Sequence, residues 1–166
     1  MTPEQTFGQL LGLGKSWNVV ESRFEAESST FFLKVEETPE LWPEESARVG
    51  TPVTCHDHVE PMQWRHLNVF NKECVIVCAL PRGSRGDDSK VYRVTPPWEG
   101  RSKHFTQEFE AFALTLMREM PVKRAGQILG ESDTRMWRML FAHVKAAHAR
   151  LSFDNVVWVG CDEMNR

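Results

Sequence analysis

Pro121-Val122-Lys123-Arg124-Ala125-Gly126-Gln127-Ile128-Leu129-Gly130-Glu131-Ser132-Asp133-Thr134-Arg135-Met136-Trp137-Arg138-Met139-Leu140-Phe141-Ala142-His143-Val144 decides the fold. Pro121 opens a short helix carrying Val122, Ala125, Ile128 and Leu129, and Gly130 closes it. Ser132 or Asp133 caps a longer helix whose inward residues are predicted to be Trp137, Leu140, Val144 and Leu151. A short helix, a tight turn at Gly130-Glu131-Ser132 and a longer helix have helix-turn-helix spacing.

Upstream, Phe105, Phe109, Phe112, Leu116 and Met120 fall at helical spacing behind a Thr106 cap, so three helices are expected in sequence. Pro96-Pro97 ends a sheet region and opens a linker through Gly100 to Lys103. Before it, Thr2-Pro3-Glu4 starts a short helix stopped by Gly12 and Gly14. Trp17 to Phe24 and Thr30 to Glu36 suggest a hairpin, and Thr38 to Thr51, with Pro39, Pro43 and Gly50, reads as a loop. Cys74 to Leu80 is apolar on both faces, hence a buried strand. Gly83 to Ser89 is a turn, and Lys90 to Val94 pairs back. Downstream, Asn155 to Gly160 reads as a further buried strand.

The fold class is therefore α+β: a β-rich module over residues 1–98, a helix-turn-helix unit over 99–153, and a terminal strand within 154–166. The chain has 166 residues, 41% of them hydrophobic, enough for a real core. It carries neither an apolar run of membrane-spanning length nor a signal-peptide pattern, so a cytoplasmic protein is expected. Its net charge of −3 is unevenly spread. Residues 1–50 hold four basic and nine acidic side chains, whereas residues 101–150 hold nine basic and five acidic. Only that later segment offers an electrostatic footprint for phosphates.

Duplex DNA is the partner this pattern suggests. In a helix-turn-helix the second helix lies in the major groove, and here its first turns present Asp133, Thr134, Arg135 and Arg138. An arginine can donate two hydrogen bonds to guanine O6 and N7, while Lys123, Arg124 and Lys103 suit phosphates. The competing reading of the same residues is an ordinary three-helix bundle with solvated arginines.

Other constellations carry less. Gly14-Lys15-Ser16 matches only the end of a phosphate-binding loop, since the position five before Gly14 is Gln9 and no strand precedes it. Cys55-His56-Asp57-His58 with Cys74 and Cys78 is a poor zinc site, because Cys74 and Cys78 on one strand stand about 13 Å apart. The cysteines read as packing residues in a reducing compartment, and Trp64 and His66 as packing and hydrogen-bonding residues. No metal, cofactor or catalytic residue is assigned. Asp162-Glu163, at the end of an apolar strand, lacks the further carboxylates that two-metal chemistry requires.

Trp64-Arg65-His66-Leu67-Asn68-Val69-Phe70, Leu80-Pro81-Arg82, Pro97-Trp98, Phe105-Thr106-Gln107-Glu108-Phe109-Glu110 and Gly160-Cys161-Asp162-Glu163 occur in an order that resembles the ISL-three family of insertion-sequence transposases. The resemblance implies a zinc-binding module with two cysteine pairs, a helix-turn-helix that binds terminal repeats, and a ribonuclease-H-like domain with three acidic residues, Asp162 matching the first. The chain departs from that pattern. Only Cys55 remains of the first cysteine pair, and Gly83 to Lys90 holds no cysteine, so a zinc-ribbon-like module without metal is expected, its knuckles cross-linked by Arg85, Asp87 or Asp88.

Two functions follow, neither of them enzymatic. One is a DNA-binding fragment or derivative of a transposase. The other, suggested by the acidic first fifty residues, is a repurposed inhibitor that binds a protein, either a full-length transposase or a host defence assembly such as a CRISPR complex. A homodimer is compatible with both. The ending at Arg166 also fits a truncation of a longer enzyme.

Overall fold

The computed structural model describes residues 1–152 together with Asp154, Val157 and Gly160. Most of the strand expected over residues 155–160, and Cys161, Asp162 and Glu163, lie outside the described residues. The fold is α+β. Helix α1 (Pro3–Leu10) begins with a capping box, in which the Thr2 side chain accepts from the Gln5 N–H and the Gln5 side chain accepts from the Thr2 N–H. Strands β1 (Trp17–Glu25) and β2 (Thr30–Glu37) form the expected antiparallel hairpin. Strands β4 (Met62–Val69) and β5 (Lys72–Cys78) form a second hairpin. The two are joined by a parallel pairing of β2 with β5, which gives a four-stranded sheet of order β1-β2-β5-β4. On β5 the residues Cys74, Ile76 and Cys78 face one core and are fully buried. Burial raises the Cys74 thiol to about 11 and the Cys78 thiol to about 12. Both therefore stay protonated and act as small hydrophobes.

A three-stranded sheet of order β3-β6-β7, from β3 (Val53–His58), β6 (Pro81–Arg85) and β7 (Val91–Arg93), packs beside the first. Two sequence expectations change here. Residues 38–51 are not all loop, because Leu41–Val49 forms helix α2. Pro43 sits in its first turn, where no intrahelical N–H bond is needed, and Gly50 caps its end at φ 80°. Residues 83–89 are likewise not all turn: β6 runs through Arg85, and β7 pairs with β6.

The expected ion-pair cross-links are also placed differently. Arg85 pairs with Asp87 and Asp88 inside the β6–β7 turn, so it closes one turn without joining two. The link across strands is Asp57 on β3 with Arg82 on β6, opposite each other in register. For the zinc implied by the resembled family, the four thiolates do not come together among the described residues. Cys74 and Cys78 are core, and the β6–β7 turn contributes no sulfur.

Helices α3 (Gln107–Glu119), α4 (Val122–Leu129) and α5 (Asp133–His148) follow as expected. They enclose a core of Phe105, Phe109, Ala113, Val122, Ala125, Leu129, Met136 and Met139. The stretch before them is not a free linker. Trp98 is 2% exposed and meets Trp17 and Trp64 edge-on, and Glu99 holds Arg93 while accepting from the Trp64 indole. No helix among the described residues is long and apolar enough to cross a membrane.

Candidate nucleic-acid interface

The turn between α4 and α5 is built by local chemistry. Gly130 adopts φ 73°, a left-handed conformation that favours glycine, and the Glu131 N–H donates to the Gly126 carbonyl at 2.9 Å. Ser132 then caps α5 by accepting from the Arg135 N–H. Gly126 is what lets the two helices meet. A Cβ there would stand 2.8 Å from the Glu131 carbonyl oxygen and 3.3 Å from the Met136 Cγ. Gly126→Ala is accordingly expected to destabilise by about 1–3 kcal/mol despite alanine's better helix propensity. Gly8→Ala in α1, where nothing lies within 4 Å of the added Cβ, should instead be neutral or stabilising. Urea unfolding of the two variants measures the contrast.

Beneath this turn lies a four-layer stack that ties the helices to the β-rich part. The Arg65 guanidinium on β4, 4% exposed at its side chain, lies 5.2 Å from the Phe109 ring centroid. Phe109 stacks on Phe105 at 4.7 Å with the rings nearly parallel, and Arg135 of α5 covers Phe105 at 4.6 Å. Arg65 donates to the carbonyl of Leu129, the last residue of α4, at 3.1 Å and to Asn68 at 2.6 Å. A cation at that position satisfies an orphan carbonyl and complements the helix dipole. Glu131 joins both arginines, at 2.6 Å to Arg135 and 3.6 Å to Arg65. Burial outweighs these attractions, raising the Glu131 carboxyl and lowering Arg65 from their ordinary values.

The Trp64-Arg65-His66 stretch is thus the joint of the molecule. Arg65 exchanges backbone hydrogen bonds with His104 and Thr106, and His66 Nδ1 lies 2.9 Å from the hydroxyl of Thr106, the cap of α3. The packing and hydrogen-bonding roles expected of Trp64 and His66 are what the structure shows.

The predicted site residues divide into groups. Asp133, Thr134 and Arg138 are exposed on the first turns of α5. Arg135, on the same turns, is paired with Glu131 and laid over Phe105, so it is not free in the way the sequence suggested. Arg138 makes no hydrogen bond or ion pair with any described residue, and it lines a cleft with Ser102, His104 and Arg135. That cleft places the loop bearing Lys103 beside α5. Lys123 and Arg124 stand exposed on the first turn of α4, with Arg124 bonded to Gln127.

The buried face of α5 differs from expectation. Met136 and Met139 point inward, whereas Trp137 is 45%, Val144 52% and Leu151 60% exposed. Phe112 on α3 and Ile128 on α4, which fall at helical spacing with the core residues, are exposed. Leu140 packs against the core as expected, but Met136 and Met139 fill it in place of Trp137 and Val144. Trp137 stacks on Phe141 on the outer face.

A second buried carboxylate steadies the cleft from below. Burial alone would raise Glu110, yet donation from the Ser102 hydroxyl and N–H, from His143 and from the Arg101 N–H holds its carboxyl below the ordinary range. A depressed carboxylate contributes stability above its unfolded value of about 4.3, and this is lost as pH falls through the folded value. The urea midpoint should therefore fall on acidification below about pH 4.3, and less steeply in Glu110→Gln. Equal slopes for the two proteins would remove Glu110 from the explanation.

No curated protein and no solved structure matches the chain. One family model does: residues 94–144 match the helix-turn-helix domain of transposase family ISL3. The match begins at the buried Val94 after β7, takes in Trp98, α3, α4 and the turn at Gly130, and ends on α5. It supports an ISL3-type transposase helix-turn-helix region in the very stretch that folds here as the three-helix unit.

Proposed function

We propose that this is a transposase-related protein that binds duplex DNA through α5, and we assign it no catalytic step. The observation that carries the reading is the family match over residues 94–144 coinciding with a helix whose first turns are exposed and carry an arginine, Arg138, with no partner among the described residues. In this reading Arg138 reads guanine, Thr134 and Asp133 reach neighbouring base edges, and Lys103, Lys123 and Arg124 contact phosphates. Arg135 serves chiefly to hold the turn against Phe105.

Fluorescence anisotropy with a random duplex pool, titrated between low and moderate salt, tests the reading. Binding should weaken steeply, with log K falling by about 0.9 per log unit of salt for each phosphate neutralised. Absence of binding to any duplex at low salt would overturn it. A second reading, docking to a protein, is favoured by the exposed aromatic pair Trp137 and Phe141 on the same helix and by the acidic first fifty residues.

A further inference from the structure

Away from the helices, β2 and β3 bring together three unlike metal donors. Glu37 is the last residue of β2, and Cys55 and His58 lie on β3. One carboxylate oxygen of Glu37, the Cys55 Sγ and one ring nitrogen of His58 all lie within 4.8 Å of one another. Residues three apart on a regular strand point to opposite faces. Here the register of β3 against β6 slips between Cys55 and Asp57, inserting one extra residue. That bulge reverses the alternation and turns Cys55 and His58 to the same side.

We propose that Glu37, Cys55 and His58 form a zinc-class divalent metal site with one coordination position left to water, bridging the four-stranded and three-stranded sheets. The donor set argues for that class. Thiolate and imidazole together select zinc or cobalt over magnesium and calcium, which take oxygen ligands. With bonds of about 2.0–2.3 Å, tetrahedral donors stand about 3.2–3.8 Å apart, so the donors need move by only an ångström or so. The 2.6 Å Glu37–His58 hydrogen bond would give way to two metal bonds. The surroundings are anionic, with Asp57 lying between the two β3 ligands. A dication is favoured there, and the thiol proton leaves to solvent on binding.

This is not the four-cysteine centre that the family resemblance implies. Its ligand from β2 lies outside both expected cysteine pairs, and it replaces the expectation of a metal-free module. Cobalt(II) titration of the full chain, followed by absorption, is the test. A thiolate-to-cobalt charge-transfer band saturating at one equivalent is expected, displaced by zinc. Cys55→Ser should abolish the band. His58→Ala and Glu37→Gln should each weaken affinity by about 100-fold or more. His56→Ala, which removes the neighbouring imidazole, should leave it within about twofold of the parent. Circular dichroism monitors folding of each variant, and the exposed position of Cys55 makes its serine variant the decisive one. Absence of the band, or its persistence in Cys55→Ser, overturns the proposal.

Discussion

Replacing Arg65 by alanine is expected to lower the unfolding free energy by about 3–5 kcal/mol, the range for removing one partner of a buried charged pair. Three losses coincide. The Leu129 carbonyl at the end of α4 loses its donor, the Phe109 face loses its cation, and Glu131 keeps only Arg135 to balance a buried charge. Because the Arg65 side chain ties the end of α4 and the Phe109 face of α3 to β4, the helices should loosen from the sheet before the sheet itself unfolds. Hydrogen exchange in α4 would report this as lost protection, with β1 and β2 unaffected. Arg65→Lys should recover only part of the loss, since an ammonium cannot fork between Leu129, Asn68 and the aromatic face. Glu131→Gln in the Arg65→Ala background should cost less than the sum of the single changes, because the uncompensated carboxylate is gone. A loss below about 1 kcal/mol would show that the guanidinium is not the joint.

Arg138→Ala has the second large expected effect, on binding and not on stability. A bidentate arginine–guanine pair is worth about 1–3 kcal/mol, a loss of roughly 5- to 150-fold in affinity for the preferred duplex. Its side chain has no partner among the described residues, so the unfolding midpoint should stay within about 0.5 kcal/mol of the parent. Lys123→Ala separates phosphate from base contact. It should weaken all duplexes alike and reduce the salt slope by about one, whereas Arg138→Ala should narrow the difference between preferred and random duplexes. Equal losses on every sequence in Arg138→Ala would move that residue to the phosphate-contacting group.

The elements that could be read from residue order are those whose causes lie within a few positions. The caps at Thr2, Thr106 and Ser132, the left-handed Gly130 and the β1–β2 hairpin each follow from one to four neighbouring residues acting on the backbone. Helix α2 was hidden because Pro39, Pro43 and Gly50 punctuate it, although Pro43 falls in the one turn that tolerates proline. On α5 Leu140 was placed inward as found, but Trp137 was preferred to Met136 and Met139 because a tryptophan outranks a methionine in apolar area. The space between Phe105, Phe109 and α4 admits the flexible methionines instead.

Of the candidate DNA-contacting set, the residue types and the helix that carries them were legible in the chain, and which of them is at liberty was not. Arg135 and Arg138 are equivalent by spacing. Only the fold brings Phe105 and Glu131 to one and leaves the other without a partner among the described residues. Glu37 likewise lies 18 residues before Cys55 with nothing local to connect them. Sequence by itself determined α1, the three C-terminal helices and the β1–β2 hairpin, because capping, turn and periodicity energies act over a few residues. Tertiary structure alone decided the parallel β2–β5 pairing, the Arg65 joint and the meeting of Glu37, Cys55 and His58, because those depend on surfaces that touch only after the chain has closed.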